Sequence, residues 1–197
     1  MPWITSLLWS LVLAMTLTGA AHGQDLENTL YMDLEDGRVV IELRPDLAPK
    51  HVARIKELVR EGFYDGIVFH RVIPGFMAQT GDPTGTGRGG SVPGFMAQTG
   101  DPTGTGRGGS DKPDLPAEFS NEPFERGTLG MARTSDPNSA NSQFFINFAP
   151  TPHLNGQYTV WGQVVEGMDY IDQIAKGEPP SQPDRIVKMS VAADAGG

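Results

Sequence analysis

The chain has 197 residues, no cysteine, and 24 acidic against 15 basic side chains, for a formal charge of −9. That balance excludes nucleic acid or an anionic membrane surface as the main partner, because phosphate binding needs clustered Lys and Arg. Without thiols there is no disulfide framework, so the fold must stand on a hydrophobic core.

Residues 1–23 read as a removable leader. Ile4–Leu17 is apolar except for Thr5, Ser6, Ser10 and Thr16, too short to cross a bilayer comfortably as a helix. Ala21-His22-Gly23 sets small residues where a signal peptidase reads, so cleavage is expected before Gln24, with a periplasmic or secreted mature chain. The first residues carry no Lys or Arg, which keeps an uncleaved membrane anchor open as the alternative. After leader removal no membrane association is expected.

Thr29–Leu43 has the pattern of a hairpin: Leu30, Met32 and Leu34 alternate with more polar residues, Asp36-Gly37 turns, and Val39, Ile41 and Leu43 alternate again. A helix follows, with Pro49 in its first turn, Val52, Ile55, Leu58 and Val59 on one face, and Gly62 as its stop. Ile67–Ile73 is the next strand. From Thr80 to Pro116 the chain is rich in Gly, Pro, Thr and Ser and predicts a long loop. Gly127–Ala132, Gln143–Phe148, Tyr158–Val165 and Ile186–Val191 predict strands, and Met168–Ala175 a second helix closed by Gly177. Many short strands with two helices favour a barrel or sandwich over an alternating β-α-β fold.

The loop region holds a tandem repeat. Ile73–Ser91 recurs as Val92–Ser110 with only the first residue changed. Taking the 23 leader residues and one 19-residue copy from 197 leaves 155, the size of one ordinary domain.

Several motifs fail on context. Gly85-Thr86-Gly87-Arg88-Gly89-Gly90 and its copy at Gly104–Gly109 have dinucleotide-loop spacing, but neither leads into a helix start, which that chemistry requires. Asp136-Pro137-Asn138 begins like a calcium loop, yet Ala140 and Asn141 replace the later ligand and the glycine, so it reads as a turn. His22, His51, His70 and His153 show no close ligand spacing, and Ser142 has no evident base. No metal, cofactor or nucleophile is expected.

What remains is a cation in an apolar strand. Arg71 interrupts IVFHRVI and is followed by Pro74-Gly75 and the apolar Phe76 and Met77. Strand alternation alone would allow it to face solvent. On Gln143–Phe148, Phe144, Ile146 and Phe148 share one face; Gln143, Phe145 and Asn147 share the other, which suits a shallow apolar pocket with a polar rim.

At FHRVIPGFMAQTGD, GTLGMA and NSQFFI the sequence resembles the cyclophilin-type peptidyl-prolyl cis-trans isomerases, from about Leu30 to Met189 and in the family's order. PAEFSNEPFERGTLGMA and DPNSANSQFF look most like bacterial members. The resemblance implies a closed eight-stranded antiparallel barrel capped by two helices, with substrate on its outer surface. It implies isomerisation of X–Pro bonds in proline-containing polypeptides by a monomer that assists folding of exported proteins.

By the same resemblance Arg71 is the catalytic arginine, Phe76, Met77, Phe145 and Leu154 line the prolyl pocket, and Gln79 and Gln143 lie along the substrate backbone. Ala132 and Arg133 stand where the family pairs main-chain groups with the peptide. His153 stands where animal members often have tryptophan, and Tyr158 where they often have histidine. Both changes bear against tight binding of cyclosporin. The second copy offers Phe95, Met96 and Gln98 as alternates, but only the first is preceded by Arg71, and the first is expected in the barrel. A proline-peptide binding module or chaperone with little turnover is the competing reading, and an envelope scaffold using the long loop is a further one.

Overall fold

The computed structural model describes residues 25–81, 91–92, 96–97 and 109–195. The leader therefore lies outside the described residues, as do Phe95 and Gln98 of the second copy. Among the described residues ten strands and two α-helices form, in the order β1 (Thr29–Asp33), β2 (Arg38–Leu43), α1 (Pro49–Arg60), β3 (Arg71–Ile73), β4 (Met77–Thr80), β5 (Ser91–Val92), β6 (Met96–Ala97), β7 (Thr128–Met131), β8 (Phe144–Asn147), β9 (Val160–Glu166), α2 (Met168–Gln173) and β10 (Lys188–Val191).

Eight of the strands make one antiparallel sheet in the order β10-β1-β2-β9-β7-β8-β4-β3. The sheet is curled but open, where the resemblance implies a closed barrel: its end strands β3 and β10 share no ladder. The gap is stitched instead by the chain leading into β10, through Gly66 N to Ile186 O (2.7 Å), Ile186 N to Ile67 O (2.9 Å) and Phe69 N to Asp184 O (2.8 Å). Pro179, Pro180 and Pro183 lie just upstream and offer no N–H, which blocks a longer ladder there. The same irregularity shortens the expected strand Ile67–Ile73 to β3, leaving Val68 as an isolated bridge to Arg185.

The inward faces behave as the alternation predicts. Leu30, Met32, Ile41, Leu43, Phe144, Ile146 and Trp161 are buried in the main core together with Val52, Ile55, Leu58 and Val59 of α1 and Ile171 of α2. Phe144 stands edge-on to both Trp161 and Tyr64, with ring centroids 5.2 and 5.6 Å apart, and the Tyr64 hydroxyl donates to Ser142 O at 2.9 Å. Helix α1 has Pro49 in its first turn, and Ala48 supplies no side-chain cap. Its free N–H groups find a distant carboxylate: Glu118 Oε2 accepts from Lys50 N (3.0 Å), His51 N (3.1 Å) and His51 Nδ1 (2.7 Å). Gly62, with φ +70°, stops the helix.

The repeat resolves the same way twice at the backbone level. In the first copy Ile73 pairs with Met77 and Val72 with Ala78 across the Pro74-Gly75 turn. In the second, Val92 pairs with Met96 and Ser91 with Ala97. Only the first hairpin joins the main sheet; β5 and β6 form a separate two-stranded one.

Candidate active site

The β3–β4 turn, with Gly75 at φ +71°, sets up a row of residues on the sheet's outer surface. Arg71 on β3 is directly opposite Gln79 on β4, Gln79 opposite Phe145 on β8, and Phe145 opposite Gly130 on β7. Because directly opposite residues point to the same side of a sheet, the cation, the amide and the ring share one face. Gly130 completes the row by having no side chain. A Cβ there would run into the Phe145 ring and come within 2.7 Å of Phe124 Cε1, so glycine alone allows the two rings to lie over it.

An apolar cluster separate from the main core forms over this row. Met77, Phe124, Ala132, Phe145, Leu154 and Val160 are its buried members, with Phe76 and Tyr158 partly exposed against them. Phe145 stacks on Phe124 at 5.7 Å and meets the Tyr158 ring edge-on at 5.8 Å, while Phe76 lies 5.9 Å from the His153 ring. Backbone bonds hold the walls: Phe148 N donates to Phe76 O, and Thr151 N to Phe124 O, each at 2.8 Å. The second of these fixes the 3-10 turn Pro152–Leu154, which delivers Leu154 to the pocket and leaves His153 exposed at its lip.

Polar groups ring the pocket. Gln79 Nε2 donates to Gln143 Oε1 at 2.8 Å, so the two amides form one buried unit. Arg71 is buried rather than solvent-facing, its side chain only 7% exposed, and Nε donates to Glu178 Oε2 at 3.0 Å. Its Nη1 is buried with no hydrogen-bond partner among the described residues. Arg133 lies over the Tyr158 ring, 4.5 Å from the centroid, and is tied to Gln157 O (Nη2, 3.0 Å) and Thr134 O (Nη1, 2.8 Å). Burial pushes the Tyr158 hydroxyl above its ordinary pKa, against the opposing pull of Arg133 and Arg71. The Ala132 amide is already committed to Gln143 O at 2.9 Å.

Thus Arg71, Phe76, Met77, Gln79, Ala132, Gln143, Phe145, His153, Leu154 and Tyr158 gather around one apolar cluster, with Arg133 bracing its edge. Of the second-copy alternates, Met96 belongs to β6, outside the main sheet. Sequence reasoning missed Phe124, Gly130 and Glu178. Phe124 sits within PAEFSNEPFERG, and its apolar ring among polar neighbours was the available signal. Glu178 had none, because 107 residues separate it from Arg71. Among the described residues no group of three or more His, Cys, Asp or Glu converges as metal ligands would.

A curled antiparallel sheet with two helices among the described residues thus carries a buried arginine and an apolar, aromatic cluster on one face. Residues 29–191 match the family described as cyclophilin type peptidyl-prolyl cis-trans isomerase/CLD, and the chain belongs to that family. A probable peptidyl-prolyl cis-trans isomerase of Brucella suis is 55% identical over 179 residues, covering 88% of this chain and 87% of the relative. Among solved structures, a cyclophilin from Hirschia baltica aligns with TM-score 0.67 at 31% identity, covering 86% of this chain and 76% of that one. A cyclophilin-type isomerase from Cryptosporidium parvum, solved in the presence of the dipeptide Ala-Pro, aligns with TM-score 0.66 at 28% identity and covers 83% of this chain and 98% of its own.

Proposed function

We propose that this chain catalyses rotation about X–Pro peptide bonds in exported polypeptides, with Arg71 as the catalytic group. The observation that carries the assignment is a buried guanidinium whose Nη1 has no partner among the described residues, on the same sheet face as an apolar, aromatic cluster. An X–Pro bond turns over a barrier of roughly 18–20 kcal/mol because nitrogen lone-pair donation gives it partial double-bond character. No bond breaks, so neither nucleophile nor cofactor is needed.

In this mechanism Phe145 and Met77 hold the prolyl ring, with Leu154, Phe76 and Phe124 as walls, while the preceding residue turns. Arg71 holds the substrate carbonyl and presents a donor toward the prolyl nitrogen as it loses planarity in the twisted state. A guanidinium stays charged at any working pH, so its donors are always available. A donor that binds the twisted nitrogen better than the planar one lowers the barrier. Gln79 and Gln143 offer amide groups to the substrate backbone beside it.

Export rests on the leader-like residues 1–23, and a monomer is the state the family resemblance implies. Sequencing the N-terminus of protein recovered from the periplasm or medium tests the first, and a mass measurement in solution the second. For the chemistry, Arg71→Ala is expected to lower isomerisation of a proline tetrapeptide by about a hundredfold or more, the scale of losing one transition-state donor. Its thermal midpoint should move little. Undiminished turnover in that variant removes Arg71 from the mechanism.

A further inference from the structure

Arg71 does not stand alone in its pocket. Its Nε donates to Glu178 Oε2 at 3.0 Å, and the two side chains differ sharply in exposure, 7% for Arg71 and 45% for Glu178. The carboxylate therefore reaches in from the surface to a cation that is almost wholly buried. It is held there by the backbone: Val72 N donates to Gly177 O at 2.8 Å and Gly177 N returns to Val72 O at 3.0 Å. This reciprocal pair joins the residue after Arg71 to the residue before Glu178. Gly177 has φ +150°, and a Cβ there would lie 2.7 Å from Pro180 Cα and 2.9 Å from Pro179 O. Only glycine lets the chain fold back so tightly, and the fold-back aims Glu178 at the guanidinium.

We propose that Glu178 is a positioning residue for the isomerisation: by occupying the Nε edge it fixes the guanidinium plane and leaves Nη1 to the substrate. This rests on the reading of Arg71 as the catalytic cation. An arginine side chain rotates about four bonds, and a planar guanidinium tethered only at its stem can present any edge. Tethering one edge with a charged hydrogen bond leaves the remaining donors pointing in one direction before substrate arrives. The unpartnered Nη1 is what such an arrangement predicts. A buried donor is costly to leave unmade, and it gains a partner when a peptide carbonyl enters. The carboxylate acts through Arg71 and touches no reacting atom.

The test is a double-mutant cycle, reading kcat and KM separately on a proline tetrapeptide, with each variant assayed well below its own thermal midpoint. Glu178→Ala is expected to lower kcat about tenfold or more with KM little changed, as misplacing a catalytic group does. Glu178→Gln, whose amide oxygen still accepts from Nε, should recover most of that loss. In an Arg71→Ala background Glu178→Ala should cost nothing further. An unchanged kcat in Glu178→Ala, alongside a crippled Arg71→Ala, overturns the positioning role and leaves the catalytic reading standing. Equal losses in both backgrounds also overturn it, because Glu178 would then act on the fold and not through Arg71. Full activity in Arg71→Ala sinks the underlying reading itself.

Discussion

Replacing Glu118 with alanine tests how the fold holds the helix that closes one end of the core. Glu118 Oε2 accepts three hydrogen bonds, from Lys50 N, His51 N and His51 Nδ1 at 3.0, 3.1 and 2.7 Å, while its own amide donates to Thr159 Oγ1 at 3.0 Å. The carboxylate is thus the N-terminal cap that α1 lacks locally, and it is the partner of a fully buried imidazole whose side chain is 0% exposed against 13% for Glu118. Losing a helix cap costs about 0.5–2 kcal/mol, and stranding a buried ring donor costs about 1–3 kcal/mol. Together these give about 1.5–5 kcal/mol. At about 2–4 °C per kcal/mol for a chain of this size, the midpoint should fall by roughly 3–20 °C. Circular dichroism or calorimetry reads the shift. Glu118→Gln, which keeps an acceptor for the helix N–H groups, should lose clearly less. A midpoint within 2 °C of the parent for Glu118→Ala, below the smallest drop these costs allow, would refute the idea that this side chain caps α1.

The same pair makes stability depend on pH. Burial drives His51 below its ordinary 6.5, against the Glu118 carboxylate; burial pushes Glu118 up, but hydrogen bonds from the His51 ring and the His51 and Lys50 amides outweigh it and hold it below 4.5. In both cases the unfolded chain binds protons that the native one refuses, so stability falls as pH falls, first below about 6.5 and again below about 4.5. His51→Gln should flatten the upper part of that profile, and an unaltered slope between pH 7 and 5 would refute this. Phe145→Ala should cut kcat/KM at least about tenfold and, as a buried aromatic, cost about 3–5 kcal/mol of stability; unimpaired kcat/KM would dismiss the pocket assignment. Deleting residues 92–110 should leave activity intact, because Gly90-Ser91 then stands where Gly109-Ser110 now packs on Asn141, through Ser110 N and Oγ to Asn141 Oδ1 at 2.9 and 2.7 Å. An inactive deletion variant would mean the second copy builds the site.

What could be read from the sequence follows the range of the forces involved. The hairpin β1–β2 and helix α1 come out at their expected positions, because turn chemistry at Asp36-Gly37 and the apolar spacing of Val52, Ile55, Leu58 and Val59 are local signals. The division of β8 into a core face and a pocket face was also legible, since a period of two decides it. The failures are tertiary. Whether the sheet closes depends on how residues 66–69 meet 184–186, and no local pattern carries that. Burial of Arg71 was not readable from alternation, which would have sent it to solvent. Glu178, which makes that burial tolerable, is brought in by the Val72–Gly177 backbone pair from the far end of the chain. The motif resemblance supplied the site's residues, but not the reason each one stands where it does.

That reason is register. With a side-chain period of two, sliding β4 by one residue along β3 would turn Met77 and Gln79 inward and bring Ala78 out, dissolving the Arg71–Gln79–Phe145 row at once. The Pro74-Gly75 turn fixes the register, and the same pairing recurs in β5 and β6, where Val92 faces Met96 and Ser91 faces Ala97. The copied hairpin nevertheless cannot reproduce the site. Counting forward by the same 19 residues, the position equivalent to Arg71 is Gly90, and that equivalent to Val72 is Ser91. A second copy drawn into the sheet would bring a phenylalanine, a methionine and a glutamine to the pocket but no cation. The duplication thus repeats the Phe, Met and Gln of the site in sequence but leaves Arg71 present once.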